Sequence, residues 1–391
     1  MRRIQARNPQ GVAGAHAVDA DVAGAVGQAL DDVLGERLAD AAAADALFAR
    51  DVAERVARFT LGGGKRLRGR FVWWGLRVCG GGGEAAEAAL RLAAALELLQ
   101  TCALVHDDVM DDAELRRGGP ALHAEVRTQY GRRAGTGDGG RSAAAFGRST
   151  AILAGDLALA WADDTVLDTR VPGHARSAVH ALWRTMRTEM VAGQYLDLHA
   201  QVTASHSPAR ALHTARLKSA RYSVERPLLL GAVLAGADDR TTGALRAAGR
   251  CAGLAFQLHD DLLGVFGDPA ETGKPSGDDI REGKLTYLTA VARARAEAAG
   301  DHAALGVLDA ALGAPDLTAA DVDRVREVLV STGARAALEE KVALLADRST
   351  GHLADVRAAD PSALRSLHSL LRATAGARTP VPVAAARGGE R

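Results

Sequence analysis

The sequence predicts an all-α protein built as one large helical bundle. Three observations carry that expectation. Alanine, leucine and arginine dominate, and runs of β-branched or aromatic residues are rare. Apolar residues recur at helical spacing over long stretches, while no segment alternates clearly as a half-buried strand does. No shift in composition divides the 391 residues, so the helices read as one domain.

In chain order, residues 1–18 read as a loosely ordered segment ahead of a domain over 19–375. Within it, helical periodicity is expected over 84–112, 151–167, 177–198, 209–234, 241–265 and 284–299. The segment 131–142, "GRRAGTGDGGRS", is rich in Gly and Arg and has no periodicity. It reads as an exposed loop between helices. Residues 376–391, rich in Gly, Pro and Arg, read as a flexible tail.

Composition narrows the function. Basic and acidic residues balance at 48 each, which argues against a general nucleic-acid binder and leaves phosphate chemistry to local clusters. Cys79, Cys102 and Cys251 are scattered and odd in number. They fit reduced thiols in the cytoplasm better than a disulfide framework. The longest uninterrupted apolar stretch, 228–237, is too short for a membrane span, which needs about 20 residues. The N-terminus shows no apolar core of a secretory signal.

The chemistry concentrates in acidic helix ends. "LVHDDVMDD" closes the first periodic stretch. On a helix Asp107 and Asp111 share a face one turn apart, and Asp108 sits about 100° away. Carboxylates stacked in this way repel unless a cation lies between them. Mg²⁺ suits the task, because it takes oxygen ligands, keeps several waters and binds through one or two carboxylates plus substrate phosphates. A solvated acidic helix end is the bland alternative. The pattern recurs, however: "FQLHDDLLG" sets Asp260 and Asp261 at the end of another apolar stretch. Two helices offering Asp pairs to one cavity make a polynuclear metal site for a diphosphate. His106 and His259 precede the pairs and raise a His/Asp metal hydrolase as an alternative. Helical neighbours diverge, and Mg²⁺ prefers oxygen to imidazole, so a packed role is expected for both histidines.

Basic stations answer the acids. "GGGKRLRGR" combines glycines that let backbone approach a phosphate with Lys65, Arg66 and Arg68. It lacks P-loop spacing, and a basic surface turn is the alternative. Arg116 and Arg117 follow the first acidic cluster, Lys218 opens "KSARYSVERP", and Lys274 and Lys284 lie in "GKPSGDDIREGK". Two diphosphate sites explain this layout, one metal-bridged and one bound mainly by Lys and Arg.

Together these motifs resemble the trans-isoprenyl diphosphate synthases of the polyprenyl synthetase family. The likeness runs from about residue 62 to 288. "GGKRLR", "DDVMD" with "RRG", "GD" at Gly155–Asp156, "GQYLDL", "KSARY", "FQLHDDLLG" and "GKPSGDDIREGK" occur in the family's order. The resemblance implies the isoprenoid synthase fold with a central apolar cavity, a homodimer, and elongation of an allylic diphosphate by isopentenyl diphosphate. By position, Asp107 and Asp111 would hold Mg²⁺ with Asp108 in support, and Asp260 a further Mg²⁺ with Asp261 in support, about three ions in all. Arg116, Lys218 and Lys274 would clamp the allylic diphosphate, with Lys284 nearby, and the arginines Arg116 and Arg117 would serve the substrates rather than neutralise the aspartates directly. Lys65, Arg68, Gln100 and Arg117 would bind isopentenyl diphosphate. Gln194 and Gln257 would face the reacting carbons.

Two departures from the family pattern stand out. The second motif is commonly DDxxD, and here its fifth position is Gly264. The basic loop has Gly69 where proline is frequent, which affects loop stiffness more than charge.

Product length is expected to be set one turn below Asp107. In the family, large aromatics there shorten the product. Cys102 and Ala103 are small, Leu99 lies deeper as a candidate floor, and geranylgeranyl diphosphate (C20) is the favoured product, with farnesyl or longer chains as alternatives. A class I terpene cyclase would wrap its cation in aromatics, which make up only 4% of this chain. A non-catalytic modulating subunit is the remaining alternative, although such a chain could lose its aspartates and both pairs are present here.

Overall fold

The computed structural model describes residues 9–134, 138–268, 277–314 and 316–376. Helices carry almost all of it. Pro9–Ala20 (α1), Val22–Ala44 (α2), Ala46–Phe48 (α3) and Glu54–Leu61 (α4) lead to Leu67–Val78 (α5) and Glu84–Met110 (α6). After a short hairpin come Leu122–Ala134 (α7), Asp138–Asp168 (α8), Arg176–Thr203 (α9), Pro208–Ala215 (α10), Arg226–Leu234 (α11) and Asp239–Phe266 (α12). Asp278–Arg281 (α13), Tyr287–Ala299 (α14), His302–Ala311 (α15), Ala319–Ser331 (α16), Ala334–His352 (α17) and Pro361–Thr374 (α18) complete the bundle.

Helix α6 is the spine, and its sequence explains why. It contains neither Gly nor Pro, and Ala and Leu are its main residues, the strongest apolar helix formers. Its apolar residues run all round rather than along one stripe, which marks a helix meant for the interior. Leu92, Leu96, Leu98, Leu99 and Val105 are fully buried, each contributing roughly 1.5–3 kcal/mol. Helices α2, α5 and α8 pack along it. Among the described residues α6 is also the one helix long and apolar enough to cross a membrane, yet 72% of its apolar window is buried inside the protein. That burial is the mark of a core helix.

Two apolar cores result. The larger gathers α2, α5, α6, α8, α9, α11 and α18. The second gathers α14, α15, α16 and α17. Helix α12 belongs to both, with Leu245 and Ala248 in the first and Leu258, Leu262 and Val265 in the second. It therefore carries Asp260 and Asp261 on a backbone held from two sides.

Three expectations need correction. The segment 131–142 is not a loop at either end: α7 runs into it and α8 begins within it, leaving only 135–137 outside the described residues. Just beyond the segment the two helices pack closely, since an added Cβ at Gly147 would meet the His123 carbonyl at 2.5 Å. Residues 9–18, expected to be loose, belong to α1. Asp19 near its end accepts from Trp73 Nε1 at 2.8 Å and Arg77 Nε at 3.0 Å, which ties the helix down. Residues 1–8 and 377–391 lie outside the described residues.

The single helix expected over 209–234 is instead interrupted. Arg216–Glu225 adopts π-helical geometry between α10 and α11. Pro227 cannot donate the helical bond to the carbonyl four residues earlier, and the widened segment runs up to just before it. Such widening re-aims side chains, and π segments are frequent at functional sites. This one carries Lys218, Tyr222 and Ser223.

Candidate active site

Helices α6, α9, the π segment and α12 surround a cavity of about 1200 Å³. Its lining includes Asp107, Asp260 and Asp261, the cations Arg68, Arg116, Lys218 and Lys284, the amides Gln100, Gln194 and Gln257, and the small residues Cys102 and Ala103. Most of the residues singled out from sequence thus converge on one space.

The first acidic cluster is built with its own cations. Asp107 accepts from Gln194 Nε2 at 3.0 Å and from Lys218 Nζ at 3.2 Å. Burial alone would raise its carboxyl, but Lys218, Lys284 and Arg116 together hold it below the ordinary range. Asp108 is 1% exposed and accepts from Arg116 Nε at 2.6 Å. Asp111 pairs with Lys284 Nζ at 3.0 Å, and Glu282 joins the same lysine. Burial raises the carboxyls of both Asp108 and Asp111.

Two expectations change here. Arg116 does neutralise the aspartates directly, bonding Asp108 and standing 3.5 Å from Asp107. The shared Asp107–Asp111 metal face is divided: Asp107 opens on the cavity, while Asp111 lies against Lys284 and does not line it.

A two-residue hairpin, Leu115–Arg116 paired with Gly119–Pro120, aims the arginines. Arg117 and Gly118 both have positive φ, 54° and 77°, which makes the tight turn. Arg116 ends the first strand and Arg117 opens the turn, so the chain changes direction between them. Arg116 therefore turns into the cavity, while Arg117 turns toward α4, where Nη1 donates to the Phe59 carbonyl at 3.3 Å. Arg117 and Lys65 do not line the cavity. Lys65 is exposed in the loop before α5, and Arg66 anchors that loop. Arg66, at φ 47°, donates to the Thr60 and Leu61 carbonyls and to Glu97 at 2.8–3.0 Å. Arg68 reaches the cavity, stacks 4.3 Å over Tyr222 and donates to Ser223 Oγ at 2.9 Å. The Tyr222 hydroxyl in turn donates to Gln100.

The second cluster is more crowded. Asp261 is 6% exposed and accepts from Gln257 Nε2 at 2.9 Å. Burial pushes its carboxyl up to about 8, with Asp279, Asp260 and Asp197 adding to the push. A Cβ at Gly264 would lie 2.2 Å from Asp279 Oδ2. The space left by the missing fifth carboxylate of the motif is thus filled by a carboxylate from α13.

Asp197 and Asp279 line the cavity and were not picked out from sequence, although both lie inside motifs that were. Asp197 sits three residues after Gln194, on the same helix face, and accepts from Lys218 Nζ at 2.6 Å. Gly193 makes that contact possible: a Cβ there would meet the Lys218 backbone nitrogen at 2.2 Å. Lys274 lies outside the described residues. Leu99 does not form the floor: it is fully buried in the main core and does not line the cavity. Cys102 does, and burial pushes its thiol up to about 12, so it stays neutral and behaves as a small apolar wall.

Neither histidine is sealed in the core. His106 lines the cavity, with Nε2 3.1 Å from the Ile152 carbonyl, and His259 borders a separate groove beside α17. Among the described residues no three His, Cys, Asp or Glu side chains converge tightly enough to hold an ion unaided. The donor set still fits a hard divalent cation, because Asp107 and Asp260 offer carboxylate oxygens across a cavity that phosphates could complete.

Residues 50–327 match the family model described as polyprenyl synthetase. The chain belongs to the polyprenyl synthetase family. It is a prenyltransferase of the trans-prenyl diphosphate synthase kind. It is 32% identical to a geranylfarnesyl diphosphate synthase from Aeropyrum pernix, over 79% of this chain and 89% of the relative. A geranylgeranyl pyrophosphate synthase from Corynebacterium glutamicum, solved with isoprenyl diphosphate and magnesium, superposes with a TM-score of 0.84 at 37% identity, covering 90% of this chain and 98% of that one. A polyprenyl synthase from Caulobacter crescentus CB15, solved with calcium and isoprenyl diphosphate, gives 0.70 at 27% identity, covering 95% and 99%. The all-α fold expected from sequence is the fold of these synthases.

Proposed function

We propose that this synthase uses Mg²⁺ to condense isopentenyl diphosphate with an allylic diphosphate of five to fifteen carbons, giving geranylgeranyl diphosphate. One observation carries the reading. A single cavity has two facing acidic clusters with four cations at one end, and the small, neutral Cys102 and Ala103 below them.

Bound Mg²⁺ would be held by Asp107 and Asp260, with Asp111, Asp108 and Asp261 in support, and would supply positive charge opposite the diphosphate. Lys218, Arg116 and Lys284 stand where the allylic diphosphate would lie, and their cationic groups stabilise the charge it gains as the C–O bond breaks. Lys274 is assigned to the same clamp from its motif. Arg68 and Gln100, steadied by Tyr222 and Ser223, orient isopentenyl diphosphate, with Lys65 and Arg117 from the adjoining loop and hairpin. Its double bond attacks the allylic carbon, a C–C bond forms, and a proton leaves to the released diphosphate. Gln194 and Gln257 present amide dipoles to the carbocation, and apolar walls keep water from quenching it.

The first aspartate motif, "DDVMD", lacks the two-residue insertion of some short-chain members of the family, and this and the small residues at 102 and 103 support a C20 product. Family resemblance supports a homodimer, and three unpaired cysteines support a cytoplasmic setting. The test is incubation with Mg²⁺, labelled isopentenyl diphosphate and C5, C10 or C15 allylic primers. A labelled C20 diphosphate is expected. Release of cyclic hydrocarbon would replace the reading with a cyclase, free phosphate alone with a hydrolase, and dependence on a second protein with a modulating subunit.

A further inference from the structure

The apolar wall below the aspartates ends on charge. Asp156 of α8 lies beside His106, with Oδ1 3.6 Å from Nε2, just below the first acidic cluster. Asp163 follows seven residues later, which at 1.5 Å per residue places it about 10 Å along the helix. Negative charge from both Asp156 and Asp163 reaches the Cys102 thiol, so α8 descends alongside the wall. Helix α9 gives the same depth independently. Gln194 touches Asp107, and Arg187 lies seven residues before it, again about 10 Å away.

The two side chains meet. Arg187 Nη1 pairs with Asp163 Oδ2, and Trp183 Nε1 donates to Asp163 Oδ1 at 2.7 Å. The Arg187 guanidinium lies 5.9 Å from the Trp183 ring centroid. Arg187 and Leu159 line the same cavity as Asp107, Cys102 and Ala103. Arg187 Nε is buried without a hydrogen-bond partner among the described residues.

We propose that the Arg187–Asp163 pair is the floor on which chain growth stops. The inference rests on the prenyl synthase reading and names what limits its product. A prenyl tail has no polar atom to offer. Once its tip passes Cys102 and Ala103 it meets a guanidinium whose Nε is already unsatisfied. Further growth would strip water from the ion pair and give nothing back. The limit is one of polarity as well as bulk. It differs from the expected floor at Leu99, which is sealed in the core.

Wild type, Arg187→Leu, Arg187→Lys and Asp163→Asn are each incubated with Mg²⁺, labelled isopentenyl diphosphate and the C5 primer, and products are resolved by length. Arg187→Leu is expected to move the main product up by at least one five-carbon unit without slowing the first condensation. Arg187→Lys is expected to keep the wild-type length, and Asp163→Asn, which releases the guanidinium from its partner, to give a mixed distribution. Circular dichroism checks folding, and if Arg187→Leu does not fold, Asp163→Asn decides. A wild-type length distribution from a folded Arg187→Leu, or from Asp163→Asn where it decides, overturns the floor. A wild type that elongates no primer overturns the prenyl synthase reading, and the floor with it.

Discussion

The two aspartate clusters look alike in sequence and are built differently. Each is an Asp pair after a histidine at the end of an apolar helix. In the first, Lys218, Arg116 and Lys284 are already in place against Asp107, Asp108 and Asp111. In the second, Asp261 is met by the neutral amide of Gln257, and three further carboxylates press on it. The first cluster is a finished electrostatic unit before any ligand arrives. The second stores like-charge repulsion that a divalent cation would relieve. One side of the cavity is pre-organised, and the other is poised for metal.

Removal of divalent cations tests this contrast most severely. Turnover with EDTA is expected to fall by about 10³-fold or more and to return with Mg²⁺, because the carboxylates crowded around Asp261 need a divalent cation between them and the diphosphate. Retention of most activity in EDTA would dissolve the distinction. Lys218→Gln attacks the finished side. It removes the cation shared by Asp107 and Asp197, and kcat is expected to drop about 10²-fold with the fold intact.

Gly264→Ala attacks the poised side. The new Cβ collides with Asp279, and metal affinity, read by Mn²⁺ titration with a substrate analogue, is expected to weaken about 10-fold. Unchanged affinity would show that Asp279 plays no part in that side's charge.

Asp261→Asn sharpens the comparison through stability. In the metal-free protein the Asp261 carboxyl titrates near 8, against about 4 in an unfolded chain. Between those values the folded state holds the extra proton, so stability falls as pH rises from about 4 to about 8. Asn removes that slope, and chemical denaturation in EDTA across this window reads it; an identical slope in both proteins would contradict the crowding. Ala103→Phe has the smallest effect on rate. It is expected to leave both clusters unchanged and shorten the main product, and an unaltered product would place the tunnel elsewhere.

Much of the site was legible because its chemistry is local. An acidic run such as "DDVMDD" at a helix end, repeated as "HDD" at 259–261, points to a cation site, and the ordered motifs around Lys218 and Arg68 carry the family resemblance. The residues missed act across the bundle. Asp197, Asp279 and Arg187 each sit on a helix face whose partner is far away in sequence. Their signal was charge on an otherwise ordinary helix, which usually means solvent. The loop expected at 131–142 failed for a different reason: glycine is not confined to turns, and here the two helices 122–134 and 138–168 run through most of the segment.

By itself, then, the sequence determined the helical class, the spine at α6 and the residue types needed to hold two diphosphates, because propensity, periodicity and charge are properties of neighbours along the chain. The tertiary structure decided which carboxylates are answered by lysine and arginine, that Asp279 takes the space at Gly264, and that Arg187 lines the cavity paired with Asp163. Those outcomes depend on distances between helices. Side-chain charge is felt over a few ångströms, and only the packed bundle brings Lys218 to Asp107, Asp279 to Asp261 and Arg187 to Asp163 within that reach.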